Sequence, residues 1–406
     1  MTSAVLRALL AAAAARRGGP KMAVVDAVLP TSLGAFDVTV PGFGTPAAAI
    51  VLLGVGLADG TARANAVGSV GATDGAQHWS SAFAAFDSSS GSDTHWRGLA
   101  SGLVGHIFDP AGNTTVQLGV TGMIAEGLRF DLIQNAGPSP YRAKIVLIGG
   151  AGVAAAAGTQ TLAAAGAAVT VTPGFEASAL FTASAVTLPG AAANGVTELL
   201  TGFAGHDGAA LTQAAATFRA DAGNPFAVQG DVRAGAVISW PTSRFATMEA
   251  ITGTGFDLRS TGGDLSSWAT GWLALAGLKG WAGVLDAPTA TGLHDFTGAT
   301  FRPVGAMLRT GMFTALDTNQ TAGEAGGFGL GAMADGSEAS YAFAVRDNVS
   351  SSDTSILAAA EGVRGFDHTG ALAFSGAFST FLDNGVQVSM SAADATTRKW
   401  PVWFLG

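Results

Sequence analysis

The sequence predicts an all-β protein made of three tandem β-sandwich domains, jelly-roll-like in their succession of short strands and derived from an internal triplication. Three observations lead there. Landmarks recur in one order at a spacing of about 130 residues. Apolar and polar residues alternate with the period of a strand between turn signals. Finally, 58 Gly and 14 Pro leave few windows for a long amphipathic helix.

The landmarks justify the repeat. A Gly-Phe element follows an alternating run at Gly42-Phe43 and at Gly174-Phe175, and a degenerate copy ends in Phe301, with Ala299-Thr300 where the Gly is lost. An Asp-Gly turn lies at Asp74-Gly75, Asp207-Gly208 and Asp335-Gly336. Gly127, Gly255 and Gly385 each open a later alternating run, and apolar strands from Ala143 to Ile148, Trp272 to Leu278 and Trp400 to Leu405 close the copies. Solenoid units run at roughly 20–50 residues, because one unit cannot bury its own apolar face; about 130 residues is the size of a domain with its own core. The expected organisation is an N-terminal arm over 1–22 followed by domains at 23–150, 151–281 and 282–406. The joints are short Gly/Ala-rich stretches, so the domains should lie as three beads in contact.

Within each copy the strands are read from segments such as Phe36-Asp37-Val38-Thr39-Val40 and Arg129-Phe130-Asp131-Leu132, bounded by Gly, Pro or Asn-Gly. Alanine is the best helix former, but the run in TLAAAGAAVTVTP aligns with TSLGAFDVTVP of the first copy and is assigned to the same β segment.

Composition narrows the class. Apolar residues make up 48% of the chain and charged ones only 12%, about half the usual share, so the surface is Ser, Thr, Gly, Ala and backbone. Lys occurs only at 21, 144, 279 and 399, which suits a chain with much of its surface in protein contacts. A net charge of −9 argues against a nucleic-acid partner. Without Cys there is no disulfide or thiolate metal site. In the arm, Arg16, Arg17 and Lys21 follow the apolar run, the reverse of a secretory signal, so a short helix or assembly arm is expected. No window has the roughly 18 strongly apolar residues of a membrane-spanning helix.

Few motifs carry chemistry. Gly150-Ala151-Gly152-Val153-Ala154-Ala155 approximates a dinucleotide fingerprint, but the acidic residue expected after the next strand is missing, and the repeat explains the glycines as an interdomain joint. No cofactor is expected. His78, His95, His106, His206, His294 and His368 show no metal-ligand spacing, so no metal is expected either. There is no G-x-S-x-G elbow and no Cys nucleophile. The shared Asp74, Asp207 and Asp335 have a structural role available in Asx-type turns. The expectation is a protein that is not an enzyme.

One cluster is not repeated. Gln77-His78-Trp79 and Thr94-His95-Trp96-Arg97 flank the loop AFDSSSGSDT, so His78, Trp79, His95, Trp96 and Arg97 form the candidate site for a glycan or protein contact. Exposed Trp and Arg are efficient contact residues. The opposing reading packs Trp79 and Trp96 inward, as strand aromatics usually do.

The succession of GFGTPAAAIVLLGVGLADGTA, GSVGATDGAQHW and a closing apolar strand resembles repeat units of virion proteins of tailed bacteriophages and phage-like particles. The resemblance implies a virion location and no catalytic residues. It implies a structural or adhesive part of a virion: a tail-associated fibre or spike contributing to host-surface adhesion, with a capsid decoration protein as the alternative. A polysaccharide hydrolase is a third reading, apart from the resemblance, for which the sequence offers no nucleophile, metal cluster or distinctive acid pair. The partners so implied are other virion proteins, host surface polysaccharide and, in one arrangement, further copies of the chain.

Overall fold

The strands are of two kinds, and the difference builds the molecule. Pro46–Val55 and Ala66–Thr73 are buried on both faces, as are most residues of Tyr141–Gly149 and Ala269–Ala276. By contrast, Gly34–Thr39 and Gly127–Asn135 alternate between buried and exposed positions, as a strand covered on one face must. The doubly buried strands line the inside and the alternating ones form the outer wall.

The computed structural model describes residues 18–55, 63–86, 94–136, 140–185, 192–221, 228–240, 244–318, 320–321, 325–346, 354–367 and 371–406. Of the arm expected over 1–22, residues 1–17 lie outside that set, and the first strand already begins at Lys21. The fold is all-β, with antiparallel sheets in sandwich-like pairs. No helix among the described residues is long and apolar enough to cross a membrane.

In the first pair, the large sheet runs Lys21–Val28, Tyr141–Gly149, Pro46–Val55, Ala66–Thr73, His78–Phe86, Thr94–Ser101 and then Ala192–Asn194. Its small sheet runs Gly34–Thr39, Gly127–Asn135, Thr114–Ile124 and Gly105–Phe108. A second pair, whose own strands begin at Ala154 and end at Ala276, and a third, from Gly280 to Leu405, have the same order of seven and four strands. Each pair encloses an apolar core of its own, built around Leu128 and Phe130 in the first, Phe256 and Leu258 in the second, and Val386 and Val388 in the third.

The seventh strand of every large sheet is borrowed. Ala192–Asn194, from the second unit, pairs with Trp96, Arg97 and Gly98 of the first; Gln320–Thr321, from the third, pairs with Gln229 and Gly230 of the second. Arg63–Ala64, from the first, pairs with Ser355 and Ile356 of the third. The three donations close a ring. After the donated strand the chain must turn sharply into its own sheet, and Asn65 and Gly195 do so with φ of 72° and 92°, a region that Gly and Asn tolerate best. Beads in contact were expected; units that share strands are found, because the inner sheets carry an apolar face that no single sandwich covers.

That second face is buried on the ring axis. One cluster joins Ile50, Leu52 and Phe83 of the first unit, Phe181, Phe203 and Phe218 of the second, and Met307, Phe328 and Trp403 of the third. Phe328 is its hub, with ring centroids 5.6, 4.6 and 4.7 Å from Phe83, Phe218 and Phe343. A second layer runs from Trp79 to Phe181 at 6.0 Å, Phe181 to Phe203 at 5.8 Å and Phe203 to Trp403 at 5.6 Å. Aromatic pairs of this kind add about 0.5–1.5 kcal/mol each beyond the area they bury. Trp400 and Trp403, in the closing apolar strand, are both buried, Trp400 in the third sandwich and Trp403 on the axis.

The recurrent landmarks now have causes. A Cβ at Gly127, Gly255 or Gly385 would lie 2.0, 2.0 and 1.9 Å from the carbonyl oxygens of Val38, Val171 and Phe296, so the neighbouring strand leaves room for hydrogen alone. In the Asp-Gly turns, Gly75, Gly208 and Gly336 have φ of 92°, 97° and 71°. Asp74 Oδ1 accepts from the amides of Ala76 and Gln77, and Asp207 Oδ1 from those of Ala209 and Ala210, as in an Asx turn. The other oxygen crosses to the next unit: Asp74 Oδ2 accepts from Ala157 N at 3.0 Å and Asp207 Oδ2 from Thr300 Oγ1 at 2.7 Å. From the third unit Ser337 Oγ accepts from Val24 N at 2.9 Å.

Two outcomes are expected. Because every unit lends and borrows a strand, heating followed by calorimetry should give one cooperative transition rather than three. A Cβ at Gly271 would stand 2.2 Å from the buried Trp79 ring. Gly271→Ala should therefore lower the urea unfolding free energy by about 1–3 kcal/mol, whereas Gly253→Ala, with open space around it, should change it little.

Candidate functional site

The residues singled out in the sequence do not converge. In the strand His78–Phe86, Trp79 points to the axis, where it is fully buried, donates from Nε1 to Trp272 O at 2.8 Å and stacks on Phe181. His78, at the start of the strand, is half-buried, and that burial lowers its pKa. In Thr94–Ser101 successive side chains take opposite faces. Trp96 is half-buried against the core of the first sandwich and donates to Pro110 O at 3.2 Å. Arg97 instead faces the second unit, ion-paired with the buried Glu198 and 5.9 Å from the ring centroid of Trp240. The side chain of His95 and loop residues 87–93 lie outside the described residues. The expected exposed platform is therefore corrected: the strand period sends Trp79 to the ring axis, Trp96 to a sandwich core and Arg97 to a joint between units, leaving His78 half-buried at the start of its strand.

That joint is a desolvated polar network. Arg219 lies across the strand pair from Glu198 and places its guanidinium 5.1 Å from the same Trp240 ring. Such a pair contributes little net stability after desolvation, but removing one partner is costly, so it fixes how two units dock. Between the second and third units Arg309 has the corresponding task. It is 2% exposed, donates to Gly329 O at 3.3 Å and Leu199 O at 3.4 Å, and sits 3.9 Å from the Phe328 ring centroid. Burial pulls its pKa down to about 9, still charged at neutral pH.

Two further groups titrate far from their usual range. His106, 3% exposed, places Nδ1 2.7 Å from Ser80 Oγ, and burial lowers its pKa to about 4. It is neutral at pH 7 and sealed from solvent. Asp207 is held down to about 2 by the amide of Ala210, the hydroxyl of Thr300 and the amide of Ala209.

The glycine run at Gly150 forms a joint. Gly150 and Gly152 have φ of 110° and 82°, Ala151 N donates to Gly18 O at 2.7 Å, and the strand Ala154–Thr161 follows. Without a helix after the glycines there is no helix N-terminus to receive a pyrophosphate. Among the described residues no three acidic or imidazole side chains are grouped as metal ligands.

Among the described residues two concavities stand out by volume. A cleft of about 510 Å³ lies between the first and third units, the one pair with no peptide link; Lys21, Phe43, Arg302, Asp335 and Phe381 line it. A pocket of about 450 Å³ opens in the first sandwich beside the root of its donated strand, lined by Arg63, Val67, Phe86, Phe108, Thr115 and Tyr141. Sequence reasoning passed over both, because neither contains a polar motif. A signal was nevertheless present in the second: the carbonyls of Tyr141 and Trp268 accept the same bond in their units, from Leu29 N and Leu162 N, so the two positions correspond and differ in size.

The chain matches no protein-family model and no curated protein.

Acid should act on these buried groups in separable windows. Unfolded His106 titrates near 6.5 and the folded residue near 4, so between these values the unfolded chain binds more protons. Its contribution is complete above pH 6.5 and lost as pH falls through 4, about 3 kcal/mol in all. Asp207, lowered from 3.8 to about 2, adds a loss of about 2 kcal/mol confined to that lower range. Urea midpoints at pH 7.5 and 4.5 should differ in the wild type and much less in His106→Gln.

Proposed function

We propose that the chain is a non-enzymatic structural component of a virion: a single-chain counterpart of a trimer of jelly-roll-like domains that arose by internal triplication. The observation that carries this reading is the closed ring of donated strands around a common apolar axis. Such a ring turns its small sheets outward in three similarly built directions, the geometry required to sit on a threefold or pseudo-threefold position of a protein shell. A surface poor in charge and in Lys suits contact with other shell proteins. The resemblance of the repeat units to phage virion proteins points the same way.

Between capsid decoration and a tail-associated fibre or spike, we favour decoration. Adhesion to host polysaccharide drew its support from the His-Trp-Arg cluster, and Trp79 and Arg97 lie in the axis and a joint. The closed ring is also a finished body and needs no further copies to cover its inner sheets. The fibre or spike remains the second reading and other virion proteins the partners in either case.

The purified chain should be monomeric by light scattering and should rebind particles lacking it, appearing as added density over the shell in cryo-electron microscopy. Binding to tails alone would select the fibre reading. Hydrolysis of host polysaccharide that a single Asp or Glu substitution abolishes would overturn the structural assignment.

A further inference from the structure

We infer that the pocket of the first unit is a binding site for a small organic acid bearing an apolar ring. The inference is independent of the virion reading. Its volume of about 450 Å³ falls in the range of small-molecule sites, roughly 300–1,000 Å³. Val55, Val67, Phe86, Ile107 and Phe108 give it apolar walls, as ring recognition requires.

The second unit acts as an internal control. In the small sheets Val104 N and Val237 N donate the same bond, to Leu118 O and Ala246 O, so three residues further on Trp240 stands at the position of Ile107, while Trp268 stands at that of Tyr141. Those two indoles are buried with centroids 4.6 Å apart in an edge-to-face contact. The fold thus accepts two large rings at these positions, and the first unit carries the smaller Ile107 and Tyr141 there, both beside an open space. An apolar ring from outside would supply what the second unit supplies from its own chain.

Charge selects the class of ligand. Arg63 lines the pocket, is half-buried and has no ion-pair partner among the described residues. The pocket's carboxylate, on Asp109, is already engaged: Oδ1 accepts from the amides of Ala111 and Asn113, and Oδ2 from Asn113 Nδ2 at 3.1 Å. The charge left to meet a ligand is the guanidinium, whose planar fork matches a carboxylate. Arg63 also belongs to the strand donated to the third unit, so an occupied pocket would brace one of the three exchanges.

Anilinonaphthalene sulfonate is a suitable probe, an apolar ring system with one acidic group, and phenylnaphthylamine is its neutral counterpart. Fluorescence titration of the folded full chain should show one sulfonate probe per molecule. Ile107→Trp, which installs the second unit's ring, should weaken both probes at least tenfold. Arg63→Gln should weaken the sulfonate about tenfold and leave the neutral probe unchanged; because Arg63 is half-exposed this variant decides the matter even if Ile107→Trp folds poorly. No binding by the wild type, or unchanged binding in a folded Ile107→Trp, would overturn the site. Equal loss of both probes in Arg63→Gln would overturn the acid.

Discussion

Everything in this molecule depends on the inner sheets being apolar on both faces. One face can be covered by the small sheet of the same unit, and the other needs the two neighbouring units. A sheet of this kind left uncovered would expose an apolar surface well beyond what a soluble monomer carries, so the ring is required by the composition of its strands. Phe328 expresses the constraint in one residue, since its ring touches a phenylalanine from each of the three inner sheets. The short donated strands add few hydrogen bonds, but they also cover a row of edge amides and carbonyls that would otherwise invite pairing with other chains.

Polar groups appear in the interior where they orient one unit on the next. Glu198 with Arg97, and Arg309 with the carbonyls of Leu199 and Gly329, sit at joints. Apolar packing is tolerant of small rotations; a desolvated charge with few acceptors in reach is not. Tyr341 OH on Arg142 O and Trp403 Nε1 on Ala204 O work in the same manner at lower cost, because a neutral donor needs one acceptor only. Hydrophobic burial thus supplies cohesion and these contacts supply the register of the three units.

Much of this was legible in the chain, for identifiable reasons. Turns and close approaches depend on single residues, so Asp74, Asp207, Gly127, Gly255 and Gly385 stand out as landmarks with a steric or hydrogen-bonding cause. The strand exchange did not stand out, because Arg63–Ala64, Ala192–Asn194 and Gln320–Thr321 are too short to show a period. The runs AAAIVLL and AVGSVGA, buried on both faces, lack the alternation from which the strands were read, and period and length alone do not say which neighbour covers a second face. For the site, side-chain type suggested contact residues where strand direction decided otherwise: Trp79 and Arg97 are joint residues. The pocket is visible only when copies are compared for side-chain size, since Tyr141 and Ile107 are ordinary core residues taken singly.

The direction of the strand donations has a consequence for the order in which the chain can complete itself. The first unit waits for residues 192–194, which are synthesised after its own last strand, and the second waits for residues 320–321. The third is complete only when Ser355–Ala359 meets Arg63–Ala64, made nearly three hundred residues earlier. The first and second units therefore cannot close before their successors have appeared, the third closes on a strand made before it, and the ring as a whole closes only when Lys399–Leu405 is in place. Until that strand is in place the axial cluster lacks Trp403 and Leu405, so completion of the shared core, rather than the emergence of any one sandwich, commits the chain to its final state.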